Sequence, residues 1–119
     1  MPKPVIALVT DLIFSTKISS TARAISGELH IVRTGDEFAA CLADKPDALV
    51  IVDMGAEAVD VIAAIRMTRQ YEPPPHTIAY LSHVQTDLAN AAQQAGADQV
   101  MARSAFSTRL QQLLENAQT

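Results

Sequence analysis

Ala48-Leu49-Val50-Ile51-Val52-Asp53-Met54 sets four large aliphatic residues in a row and ends them on an acid. A run of β-branched and aliphatic residues with no polar alternation describes a strand covered on both faces, as strands of parallel sheets are. A carboxylate at its end cannot be core filler, because burying it unpaired costs too much. It has to reach the crevice at the carboxyl end of the sheet, where open α/β sheets bind their ligands.

Reading outward from this segment, four more apolar runs appear, at 5–9, 29–32, 77–81 and 99–102, and helical patterns alternate with them. Phe14, Ile18, Ala22 and Ile25 share one helical face, and Gly27 is placed to stop that helix. Thr34 followed by Glu37 makes a capping box for a second helix with Phe38, Cys41 and Leu42 inside and Pro46 beyond its end. Val59, Ile62, Ala63 and Ile65 supply a third, which must stop before Pro73-Pro74-Pro75. Leu88, Ala91, Ala92 and Ala95 supply a fourth, closed by Gly96. Phe106, Leu110, Leu113, Leu114 and Ala117 mark the fifth. Strict βα alternation with short links requires right-handed crossovers and a three-layer sandwich. The expected architecture is therefore a single α/β domain over 1–119, a flavodoxin-like (βα)5 fold with a five-stranded parallel sheet in the order 2-1-3-4-5.

Bulk composition narrows the function. The chain has 119 residues, enough for one domain with a real core and too few for two. A net charge of −4 argues against nucleic-acid binding through a basic surface. No apolar run reaches membrane-spanning length and the N-terminus has no signal-peptide pattern, so a cytoplasmic location is expected, with no membrane partner. A single cysteine, Cys41, excludes an internal disulfide and any CxxC metal site, and its apolar neighbours make it a small buried hydrophobe. His30 and His76 lack metal-ligand spacing to each other or to Cys41. There is no GxGxxG or Walker pattern and no nucleophile–base motif for hydrolysis, so the chain is not expected to be an enzyme in the ordinary sense.

In the expected strand order, the carboxyl ends of strands one, three, four and five surround one crevice. The residues there are Thr10 and Asp11, Asp53, Ser82, and Arg103. Two carboxylates, a hydroxyl and a cation at a switch point can hold an oxygen-ligated divalent cation and a phosphoryl group. Each has a plainer reading as well: Asp11 and Ser82 are common helix caps. His83, beside Ser82, could meet an anion or simply face solvent.

These positions resemble the receiver domain of two-component response regulators (CheY-like), and the resemblance spans nearly the whole chain. Val9-Thr10-Asp11 is similar to the family's acidic end of the first strand, Val52-Asp53-Met54 to its phospho-acceptor strand, and Leu81-Ser82 to its hydroxyl-bearing strand. Ala95-Gly96-Ala97-Asp98 running on to Arg103 and Phe106 is similar to its helix stop, fifth strand and basic residue. The resemblance implies Asp53 as phospho-acceptor, assisted by Ser82 and Arg103, and Mg²⁺ held by Asp11, Asp53 and the backbone carbonyl of Gly55. It implies a histidine kinase or phosphotransfer protein and a downstream protein target as partners, and at most self-catalysed phosphoryl transfer to Asp53.

The departures bear on output. An acidic pair in the family is Thr10-Asp11 here, its lysine is Arg103, and the proline after it is Ser104. Arginine stays charged and pairs bidentately with carboxylates, so Arg103 could hold Asp53 rather than wait for a phosphate. The family's aromatic switch falls at Val100, and the loop 54–58 is short and lacks the usual Met-Pro. The expected function is an atypical stand-alone receiver in two-component signal transduction. The alternatives are a pseudo-receiver acting as a phosphorylation-independent interaction module and a flavodoxin-like binder of a small ligand. Oligomeric state is left open by the sequence.

Overall fold

The computed structural model describes residues 3–25, 27–56, 59–82 and 86–117, and its sheet follows directly from the aliphatic runs. Among the described residues, strands β1 (Val5–Leu8), β2 (Leu29–Val32), β3 (Leu49–Asp53), β4 (Thr77–Leu81) and β5 (Gln99–Ala102) alternate with five helices. These are α1 (Leu12–Ala24), α2 (Gly35–Asp44), α3 (Val61–Thr68), α4 (Thr86–Ala95) and α5 (Arg103–Ala117). The strand order is β2-β1-β3-β4-β5 and every neighbouring pair is parallel, as expected for the flavodoxin-like fold.

Successive side chains of a strand point to opposite faces, and this alternation splits the core in two. Ile6, Leu8, Val50, Val52, Ala79 and Leu81 pack toward α2, α3 and α4, against Phe38, Leu42, Ile65 and Ala92. Val5, Ala7, Val9, Leu49, Ile51, Ile78 and Tyr80 pack toward α1 and α5, against Ile18, Ala22, Phe106, Leu110 and Leu114. Each large aliphatic buried this way contributes about 1.5–3 kcal/mol relative to exposure. β3 is buried on both faces until Asp53, where the chain leaves the core.

Local signals set most helix ends. The Thr34 hydroxyl accepts from Glu37 N–H at 3.1 Å, while the Glu37 carboxylate accepts from Arg33 N–H, one residue before the cap, at 2.7 Å. Gly27 N–H donates back to the Ala22 carbonyl at 2.8 Å, closing α1. The third helix departs from the expected face only in part: Val59, Ile62 and Ile65 pack against the core as expected, but Ala63 does not. Its buried residues are Val61, Ala64, Ile65 and Thr68, whereas Ala63 is exposed and Val59 precedes the helix. Asp60 is the reason: its carboxylate accepts from Ala63 N–H at 3.0 Å and fixes where the first turn begins. Thr68 can occupy the core because its hydroxyl donates to the Ile65 carbonyl at 2.6 Å. Cys41 is half-buried rather than buried, and desolvation pushes its thiol pKa up. No helix among the described residues is long and apolar enough to cross a membrane.

Gly96 ends α4 with φ at +126°, and a Cβ placed there would run into the aliphatic stem of Arg69. Gly96→Ala is therefore expected to destabilise the protein by about 1–3 kcal/mol, the usual cost of a side chain in this backbone region. Urea unfolding would measure it. Adding Arg69→Ala should recover only the steric part of the loss, because the backbone strain stays.

Candidate functional site

Sheet geometry brings the expected polar residues together. Asp53 lies two residues beyond Ile51 and so points to the α1/α5 side, with Tyr80 as its register partner on β4. Asp11 follows β1 as the N-cap of α1, its carboxylate accepting from Ile13 N–H at 2.9 Å. Arg103 is the first residue of α5, directly after β5. Thr10, Asp11, Asp53, Gly55, Ser82 and Arg103 line one open crevice of about 490 Å³ at the carboxyl end of the sheet.

Asp11 thus acts as a cap and as a crevice carboxylate at once, since its second oxygen faces Arg103. Asp53 accepts from Gly55 N–H at 2.8 Å. Burial holds the Asp53 carboxyl above its usual pKa, with the Gly55 N–H opposing this, the Asp11 charge adding to it and Arg103 offsetting part. Arg103 Nη1 lies 3.8 Å from Asp11 Oδ2, and its guanidinium sits 5.3 Å from the centre of the Phe14 ring. Among the described residues, no ion pair within 4 Å joins Arg103 to Asp53. A pair this long, with both side chains partly exposed, is worth under about 1 kcal/mol. The cation is therefore parked beside Asp53 and held weakly.

The donor set suits a hard cation. Two carboxylates, with a backbone turn beside them, offer oxygen ligands and negative charge. No group of three His, Cys, Asp or Glu side chains gathers among the described residues, so the remaining ligands would be backbone and solvent oxygens.

Other expected features fall elsewhere. Val100 is partly buried against the α2/α3/α4 core. Ser104 is exposed, and no loop separates β5 from α5, so the chain turns straight into the helix where the family resemblance implied a proline. His30 pairs with Glu28 at 2.7 Å and His76 with Asp98 at 3.6 Å, both outside the crevice lining. His83 and residues 57–58 of the short loop lie outside the described residues.

Reading the sequence missed Phe14 and Tyr80 as site residues. Phe14, Tyr80 and Phe106 stack beneath the crevice, with Tyr80 and Phe106 centroids 4.5 Å apart and Phe14 and Tyr80 5.2 Å apart. The signal for Tyr80 was its parity: two residues before Ser82, it must share that strand face.

The raised carboxyl of Asp53 has a consequence for stability. Over the window from an ordinary carboxylate pKa up to the raised value, the folded protein holds a proton that the unfolded chain has released. The group's contribution is therefore most favourable at acidic pH and is lost as pH rises through the raised value. Asp53→Asn, which can still accept from Gly55 N–H, is expected to raise the melting temperature at neutral pH. The gain should shrink toward zero as the pH drops below the carboxylate range, in thermal melts at a series of pH values.

No protein-family model matches the chain, and no curated protein matches it in sequence. Solved structures do match it closely in fold. A response regulator from Hahella chejuensis superimposes with a TM-score of 0.83 at 17% identity, covering 97% of this chain and 94% of that one. The signal receiver domain of the response regulator NarL from Mycobacterium tuberculosis gives 0.79 at 16% identity, covering 98% and 96%. The phosphorylated cyanobacterial phytochrome response regulator RcpA gives 0.79 at 15% identity, covering 98% and 91%. Over nearly its whole length, this chain has the fold of response-regulator receiver domains.

Proposed function

We propose that the chain is a receiver-type module of two-component signal transduction, with Asp53 as the phosphoryl acceptor. The observation that carries this reading is the meeting of Asp11, Asp53, Ser82 and Arg103 in one crevice, with Arg103 uncommitted to Asp53. A carboxylate oxygen of Asp53 attacks phosphorus as the bond to the donor breaks, leaving an acyl phosphate on Asp53 and the released donor. The donor is a phosphohistidine of a kinase or phosphotransfer protein, or a small phosphodonor. Arg103 leaves the weak contact with Asp11 to neutralise the new charge, and the Ser82 hydroxyl donates to a phosphoryl oxygen. Asp11, Asp53 and the Gly55 carbonyl would hold Mg²⁺, which when bound offsets the charge of the phosphoryl oxygens. Output passes to a downstream protein partner.

A second reading has its own support. Thr10 in place of an acid, Val100 in place of a switching ring and a resting Asp11–Arg103 contact also suit an interaction module that never needs phosphate. A planar-ligand binder is disfavoured, because Tyr80 and Phe106 are buried and stacked on each other instead of facing the crevice.

Incubation with Mg²⁺ and a small phosphodonor should add the mass of one phosphoryl group, and Asp53→Asn should abolish the addition. An unmodified wild-type protein under saturating donor and Mg²⁺ would remove the first reading and leave the second.

A further inference from the structure

Under the crevice lies a polar atom without a partner. Tyr80 is 1% exposed, and its hydroxyl oxygen has no partner at full hydrogen-bond geometry among the described residues. Buried hydroxyls are ordinarily satisfied, so this one calls for a physical account. Its ring stacks with Phe106 at 4.5 Å and with Phe14 at 5.2 Å, and the Arg103 guanidinium lies over Phe14 in turn. Register sets Tyr80 directly beside Asp53 on the same face of the sheet. An ordinary phenol pKa is about 10, so the group is an O–H donor throughout the working pH range. The strongest acceptor near it is the Asp53 carboxylate, one oxygen of which already takes the Gly55 N–H.

We propose that Tyr80 is a positioning residue for Asp53, its hydroxyl donating to the carboxylate and fixing the plane that Gly55 N–H alone leaves free to rotate. Register already sets the carboxylate beside the phenol on one face of the sheet, and the two need only close to bonding geometry. The aromatic stack then acts as the rigid mount for the donor, and the nucleophile is oriented from below while the crevice above stays open. Its functional meaning rests on Asp53 being the reactive carboxylate, but the contact itself does not depend on phosphorylation.

A double-mutant cycle on the full chain tests it. Tyr80→Phe removes one oxygen from a ring that stays stacked. With the contact present, the substitution lowers the melting temperature of the wild type and has no effect, or a stabilising one, in an Asp53→Ala background. Equal responses in the two backgrounds, or a larger loss in Asp53→Ala, overturn the proposal. Proton NMR supplies a signature that a packing role alone would not produce. A slowly exchanging, downfield Tyr80 hydroxyl proton should be present in the wild type and displaced in Asp53→Asn. Its absence from the wild type, or its indifference to Asp53→Asn, overturns the proposal even if Tyr80→Phe fails to fold. Both readouts use unphosphorylated protein, so failure to phosphorylate Asp53 leaves them standing.

Discussion

Two-sided burial of the central strands governs this molecule. β1, β3 and β4 contribute apolar side chains to both layers, and neither layer has room for an unpaired charge. Polar chemistry is thereby confined to strand ends. Parallel pairing in the order β2-β1-β3-β4-β5 then collects the carboxyl ends of β1, β3, β4 and β5 around one crevice. The position of Asp53 follows from these two constraints before any family likeness is considered.

The electrostatics of the crevice are unbalanced in an informative way. Asp53 is desolvated and beside a second carboxylate, so its negative charge is held at a cost. The one crevice cation among the described residues, Arg103, is turned toward Asp11 and Phe14. The alternative raised by the sequence, an arginine locked onto Asp53, is not the arrangement found. A weak, long contact is easily exchanged for a stronger one with an anion, as a fork of guanidinium donors allows. The direct passage of β5 into α5 anchors Arg103 at the helix start, leaving its side chain the only adjustable part.

Much of this was legible in the residues. The strands at 29–32, 77–81 and 99–102 appear with the expected bounds, and the polar residues read at the strand ends line one crevice. Those inferences rested on strong signals: uninterrupted aliphatic runs and acids or bases at their ends. Weaker signals failed where a polar residue took part in packing. The start of α3 and its inward Thr68 were missed, because Asp60 sets the first turn and Thr68 fills a core position by bonding back to Ile65. Tyr80 read as one more apolar strand residue, although its hydroxyl lies under the site. Which carboxylate Arg103 meets could not be read at all, because the choice depends on side-chain reach and on the Phe14 ring, neither of which has a local sequence mark.

The proposed function requires that this crevice accept a phosphoryl group together with a divalent cation. Titration with beryllofluoride and Mg²⁺, followed by backbone amide resonances, tests it most directly. Saturable shifts concentrated at Thr10, Asp11, Asp53, Gly55, Ser82 and Arg103, and lost in Asp53→Asn, are the predicted result. A spectrum unchanged at high beryllofluoride and Mg²⁺, or shifts that persist in Asp53→Asn, would contradict the account.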